Sequence, residues 1–228
     1  MEPIDPRWPK ILSLSVHEFR TPMTVVAGYI RMLLKDRAGA LNDQQRKLLE
    51  EAEKSCGRLT ALIAEVSELS ALEGGTATFN RQKTDLNAVV RSAVEQLPPP
   101  VDREVHLDLQ LPDGEAPITG DSTKLAQAVG AVIAALRREL VTSDRLVVRV
   151  RRRSHDGNVF YDILVAENSA IDALESEPLD SATTFDEWRG GVGLSLINAR
   201  RILAAHGGGI HAPADGGKAR ARIRLPAT

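Results

Sequence analysis

Between Leu12 and Leu33 one set of apolar residues, Leu12, Val16, Phe19, Met23, Val26, Ile30 and Leu33, recurs in alternating steps of four and three. That is the spacing of a helix that buries one seam against partners. A second run, Leu48, Ala52, Ser55, Leu59, Leu62, Val66 and Leu69, stops at Gly74-Gly75, a pair that ends helices readily. Between the two, Arg37-Ala38-Gly39-Ala40 reads as a turn, and Asn42 or Asp43 as the cap of the second helix. The pattern predicts a helix over about 10–36, a short loop and a second helix ending at 73. A hairpin alone leaves the outer parts of both seams in water, and pairing two hairpins into a four-helix bundle covers them. Residues 10–73 are therefore expected to build a homodimer, the alternative being a hairpin that packs on the rest of its own chain.

From Thr76 the period changes to short strands alternating with helices. The expected elements are a strand over 78–82, a helix over 86–96 ended by Pro98-Pro99-Pro100, and an alternating strand from Val105 to Leu111. Ile118-Thr119-Gly120-Asp121 leads into a helix over 124–140. Two long antiparallel strands over 145–153 and 159–166 turn about Asp156-Gly157-Asn158. A helix over 192–205 and a hairpin of 209–212 with 219–225 close the chain, and residues 1–9 read as an irregular lead-in. The fold class is α+β, a helical hairpin in domain 1–75 followed by an α/β sandwich in domain 76–228.

Composition narrows the function. Hydrophobic residues make up 43% of the 228 but aromatics only 4%, so the cores are built from Leu, Val, Ile and Ala. Lysine plus arginine, 29, nearly balance aspartate plus glutamate, 31, which does not point to nucleic acid. The single cysteine, Cys56, excludes an internal disulfide and reads as a small buried side chain. The longest apolar candidate, Ala126 to Leu136, is about half of what a bilayer needs. The opening Met-Glu-Pro-Ile-Asp-Pro is unlike a signal peptide, so a cytoplasmic location is expected, any sensor or membrane segment lying outside these residues.

The candidate chemistry sits on the first helix, in Ser15-Val16-His17-Glu18-Phe19-Arg20-Thr21-Pro22. His17 is one step past Val16, so it lies about 100° round the helix from the seam, at a wet and reachable rim. A neutral imidazole there can attack a phosphoryl group if a neighbour accepts or orients its ring proton, and Glu18 is adjacent. Pro22 has no N–H and crowds the carbonyl of Glu18, so a bend is expected beside His17. A solvated surface histidine is the alternative for His17 alone. The whole box resembles the phospho-acceptor box of sensor histidine kinases. That resemblance implies a phosphorylated His17, Glu18 as base or orienting group, Arg20 as a charge partner, and Thr21 as the group that holds water for dephosphorylating a partner's aspartyl phosphate.

The order of elements after Thr76 resembles the ATP-binding domain of the same family, so the resemblance covers nearly the whole chain. Asp121, Lys124, Leu125 and Gln127 match the opening of the family's nucleotide-facing helix, whose two asparagines then fall on Ala131 and Ala135. Alanine offers no oxygen to a magnesium ion that requires an octahedron of them. Where the family has Asp-x-Gly-x-Gly at the adenine, this chain reads Glu167-Asn168-Ser169-Ala170-Ile171. The third box, Gly190-Gly191-Val192-Gly193-Leu194, resembles the family's phosphate-side glycine run, with Arg189 in place of its first glycine. The resemblance thus implies ATP and Mg2+ as cofactors with Glu167, Lys124, Gly191 and Gly193 as binding residues, while the changes set against them predict a degenerate site. A glycine run before a helix also has a bland reading, a tight turn, and the acidic stretch 172–188 reads as a vestigial lid with Phe185 and Trp188 as its anchors.

Arg145, Arg149, Arg151, Arg152 and Arg153 form the densest basic patch, read as a solvated strand end or as a docking strip for an acidic partner. His106, His155 and His211 lack the spacing of a metal site. The favoured reading is a two-component signalling protein whose ATP site has decayed and whose His17 exchanges phosphate with a response-regulator receiver aspartate, which needs only the receiver's own metal. The alternatives are an ATP-dependent histidine kinase with a divergent site, and a dimeric scaffold without phosphate chemistry.

Overall fold

The computed structural model describes residues 7–99, 104–140, 143–178 and 183–228. Residues 1–6 of the expected lead-in, Pro100 of the proline run and residues 179–182 of the acidic stretch lie outside them. The chain forms two compact units, Met1–Ala77 and Thr78–Thr228.

The first unit is a hairpin of α1, Trp8–Leu34, and α2, Asp43–Glu73. Pro9 lies in the first turn of α1, where a missing N–H costs nothing. The helix then continues through Pro22 as one element. The connecting loop is tied by Arg46, which donates to both carboxylate oxygens of Asp36 at 2.9 Å and to the Leu34 carbonyl at 3.0 Å. Asn42 and Gln45 form a reciprocal capping box, with bonds of 2.8 and 3.0 Å. At the open end the Ser70 hydroxyl donates to the Pro9 carbonyl at 2.7 Å.

The seam inside the hairpin keeps Val16, Met23, Ile30 and Ala52 of the expected one and takes the neighbouring residue at other turns, Ala27 and Leu34 on α1 and Leu49 and Cys56 on α2. Ala27, Ile30 and Cys56 form its core, packed by Met23, Leu34, Leu49 and Ala52, and Val16 is buried above them. Phe19 is 61% and Val26 46% exposed, and Leu48, Leu59 and Leu62 face outward from α2. The cause is that apolar residues occupy adjacent positions at 26–27, 29–30 and 33–34, so two registers fit. The helices adopt the one that puts the small Ala27 and Cys56, with Ile30, in the core of the hairpin.

The second unit is a sheet covered by helices. Its elements are β1 (Gln82–Asp85), α3 (Leu86–Glu95), β2 (His106–Gln110), β3 (Pro117–Gly120), α4 (Ser122–Glu139), β4 (Arg145–His155), β5 (Asn158–Glu167), α5 (Ile171–Ser176), β6 (Thr183–Thr184), α6 (Ser195–Ala205), β7 (Gly209–Ala212) and β8 (Ala221–Pro226). The main sheet runs β2-β4-β5-β8-β7-β6, with β2 parallel to β4 and the other pairs antiparallel; β1 and β3 pair separately. β1 begins where the predicted strand over 78–82 ends, and α6 starts three residues later than expected because Val192–Leu194 remain in the turn.

Strand alternation divides the sheet's residues between two faces. Leu146, Val148, Val150, Ile163 and Val165 are buried on one, under the helix layer in which α4 packs between α3 and α6. Val147, Leu164 and Ala166 are buried on the other by Ile171 and Leu174 of α5. α5 has only six residues, too few to show a helical period, and it occupies the start of the acidic stretch 172–188 that reads as a lid in the sequence.

Candidate functional site

His17 stands on the outer face of α1 with its side chain 78% exposed. Its Nδ1 lies 3.6 Å from a carboxylate oxygen of Glu18, beyond a direct hydrogen bond. With Nδ1 turned to Glu18, Nε2 is the nitrogen left for a phosphorus atom. The Thr21 hydroxyl is 3.5 Å from the His17 carbonyl, one turn back on the same helix. Glu18, Arg20 and Thr21 are all exposed, so the four residues form one accessible patch.

The residues expected around a nucleotide are not gathered in the same way. Asp121 caps α4, accepting from Lys124 N–H at 3.1 Å and Asn80 N–H at 2.9 Å, while its own N–H donates to His206 Nε2 at 3.1 Å. Burial alone would raise its carboxyl, but those backbone donors outweigh burial and hold it below the usual value. Lys124 is in the first turn of α4. Ala135 is eleven residues further, about 16 Å along the axis.

The glycine run meets α4 at that far end. Gly190 has φ +69°, and a Cβ built on it would lie 2.7 Å from Ala135 Cα and 2.8 Å from the Ala135 carbonyl oxygen. Its backbone therefore rests directly on the second asparagine position, and Ala135 is fully buried. Arg138 donates to the Gly191 carbonyl at 2.5 Å. Arg189, which replaces the first glycine of the family's run, donates through Nε and Nη2 to the two carboxylate oxygens of Glu139, and the Ala219 N–H adds a bond of 2.9 Å to one of them. The Arg189 guanidinium lies 5.0 Å from the centre of the buried Phe185 ring. Of the two aromatic anchors expected for the acidic stretch, Phe185 serves as one; Trp188 is 74% exposed.

These contacts test the fit of Mg-ATP. Ala131 and Ala135 provide no oxygen, and the space an asparagine at 135 would need holds the backbone of Gly190. Neither position can ligate the metal of a metal-bridged triphosphate. Ile171, expected to crowd the adenine, instead directs its side chain into the core under α5. Glu167 ends β5 half-buried, with its carbonyl accepting from Ala170 N–H at 3.0 Å. Gly193 has φ +65°, and Gly191 φ +56°, conformations open to glycine.

The basic strip is not a free surface. Arg149, Arg151 and Arg153 share the face covered by α5, where Glu175 accepts from Arg149 at 2.6 Å and Arg151 at 2.9 Å, and Asp172 accepts from Arg149 at 2.6 Å. Burial would raise the Glu175 carboxyl, but these guanidinium bonds outweigh it and hold the group below its ordinary value. Of the five arginines, Arg145 and Arg152 remain exposed. Glu139 and Glu175, the acids that organise this unit, carry no sequence signal because their partners lie 50 and 26 residues away.

The exposed imidazole thus stands on a helical hairpin that precedes, in the chain, a separate helix-covered sheet. Residues 11–75 match the His Kinase A (phospho-acceptor) domain. The chain is 25% identical over 211 residues to the circadian input-output histidine kinase CikA of Synechococcus elongatus, an alignment covering 88% of this chain and 27% of that protein. It is 27% identical over 227 residues to the sensor protein VanSC of Enterococcus gallinarum, covering 92% of this chain and 58% of that one. It thus spans less than two thirds of either relative. The structure of full-length ShkA in complex with AMPPNP shares the fold over 96% of this chain and 45% of that chain, with a TM-score of 0.67 at 20% identity. Most of the chain is thus similar to histidine kinases, with a phospho-acceptor domain match over residues 11–75 and a catalytic-like unit after it. Among the described residues no helix is long and apolar enough to cross a membrane.

Proposed function

We propose that the protein carries phosphate on His17 and exchanges it with the aspartate of a response-regulator receiver, while its catalytic-like domain does not load it from ATP. In this reading Nε2 of His17 attacks the phosphorus of a receiver aspartyl phosphate. The N–P bond forms as the acyl P–O bond breaks, the receiver carboxylate leaves, and the Nδ1 proton passes towards Glu18. The reverse transfer uses the same atoms. Thr21, one turn from His17, is placed to turn its hydroxyl to a water that hydrolyses the receiver's phosphate. The exposed stripe of Phe19, Val26, Leu59 and Leu62 supports a homodimer through a four-helix bundle. The observation that carries the loss of ATP loading is the backbone of Gly190 packed on Ala135.

A second reading, an ATP-dependent kinase, is favoured by the AMPPNP bound in the ShkA structure that shares this fold. One experiment separates the two: the protein is incubated either with labelled Mg-ATP or with a labelled phosphorylated receiver. The proposal expects acid-labile, base-stable label from the receiver only, lost in His17→Gln. Label from Mg-ATP on His17 refutes it in favour of the kinase, and label by neither route leaves a scaffold.

A further inference from the structure

Charged, aromatic and backbone contacts gather around Arg189. Glu139 and Arg189 are mostly buried, Glu139 receives two guanidinium donors and the Ala219 N–H, and Arg189 covers the Phe185 ring. On one side of Arg189 an outer pair, Arg200 with Glu187 at 2.9 Å, ties the segment to α6. On the other, Arg138 holds the Gly191 carbonyl. Glycine-rich segments beside helix ends are ordinarily among the least stable parts of a fold, because backbone bonds there are few and solvent competes for them. This one is held by two charged pairs, one of them largely withdrawn from water, together with a ring contact and a backbone close-fit.

We infer that the Glu139–Arg189 pair is an internal latch that shuts the glycine loop onto α4 without nucleotide, doing with a protein carboxylate and guanidinium what a bound polyphosphate does in an open loop. The latch explains three residues together. Arg189 supplies the cation, Gly190 lets the backbone reach Ala135, and Ala135 leaves room for it. It also fixes Trp188, whose ring is exposed while the chain on either side is pinned. The inference rests on the proposed function only in taking the loop as idle towards nucleotide.

Chymotrypsin tests it in the full chain, because cleavage after an exposed Trp188 still requires the local backbone to open. The cut at Trp188 is expected to be slow in the wild type, unchanged by millimolar Mg-ATP, and faster by about tenfold or more in both Glu139→Ala and Arg189→Gly. Cuts at Phe160 and Tyr161 inside β5 are expected to stay slow in all three, which separates loop opening from global unfolding. A wild-type cut that is fast, or that slows only with Mg-ATP, overturns the latch, as do variants that match the wild type or that open Phe160 and Trp188 in parallel. Transfer from a phosphorylated receiver to His17 in the same variants reads the proposed function separately, and is expected to be unchanged.

Discussion

Gly190 and Gly191 offer a matched pair for measuring the contact that closes the candidate nucleotide site. Both have positive φ, +69° and +56°, so an alanine at either meets roughly the same left-handed backbone cost of about 1–2 kcal/mol. They differ in what the new methyl group meets. At 191 the nearest atom is the mobile Arg138 Nη1 at 4.0 Å, an ordinary contact. At 190 the methyl group lies 2.7 Å from both Cα and Cβ of Ala135, and a helix backbone cannot turn aside as a side chain can. Overpacking of this kind costs about 1–3 kcal/mol. Gly190→Ala is therefore expected to lose roughly 2–5 kcal/mol and Gly191→Ala about 1–2, the difference of about 1–3 belonging to the loop-on-helix contact. Urea unfolding followed by fluorescence of the buried Tyr161, in a background with Trp8, Trp188 and Tyr29 replaced by Phe, reports the second unit, and the comparison holds if the slope with urea is the same in both variants. Equal midpoints for the two variants would refute the close packing of Gly190 on Ala135, and with it the argument that the site is filled.

The remaining predictions concern the same two units. Restoring the asparagine with Ala135→Asn is expected to destabilise by about 2–5 kcal/mol, from overpacking plus a buried unpaired amide, without creating Mg-dependent ATP binding; calorimetry that finds such binding sinks the reading. Glu175→Gln is expected to cost about 1–3 kcal/mol at neutral pH, because Arg149 and Arg151 lose a charged acceptor. The native Glu175 carboxyl is held below 4.5, so its contribution is present above that pH and lost as pH falls through the folded value; the gap between wild type and Glu175→Gln in thermal unfolding should therefore narrow below pH 4.5, and a gap constant with pH contradicts the assignment. Val26→Asp and Leu62→Asp place charges on the outward stripe of the hairpin and are expected to yield a monomer by light scattering, whereas an unchanged dimer would mean that another surface pairs the copies.

How much of this could be read from the sequence depended on the range of the interaction. Local signals were legible: the two heptad runs, the Asn42 cap with its Gln45 partner, the glycine stop after Glu73, and the Asp-Gly turn between β4 and β5 all follow from residues within a few positions of one another. The seam register was ambiguous because Val26 and Ala27, or Leu33 and Leu34, satisfy neighbouring heptads equally. Choosing Val26 over Ala27 selects the outward stripe, while the small Ala27 and Cys56 lie in the core of the hairpin. The arginine strip misled for a different reason. Its charges read as free along the chain, whereas Glu175 and Asp172, two dozen residues on, return across the sheet to neutralise them.

The glycine run shows most plainly where a motif stops being informative. A glycine states that a backbone needs room or an unusual φ, and says nothing about what uses the room. In a nucleotide site the space admits phosphate oxygens. At Gly190 it admits the main chain of α4, and Ala135 is the residue whose small side chain permits the contact. Read singly, alanine at 135 is a lost metal ligand and Arg189 a lost glycine. Read together with Glu139 they are complementary parts of one packed arrangement, in which a protein ion pair stands where a ligand-dependent closure would be. The phospho-acceptor patch makes no such demand on this unit, since attack by Nε2 of His17 on a receiver's phosphate requires an exposed imidazole, an oriented ring proton and access from solvent. On the proposed function, the two halves of the chain should therefore respond independently to substitution at Gly190 and at His17.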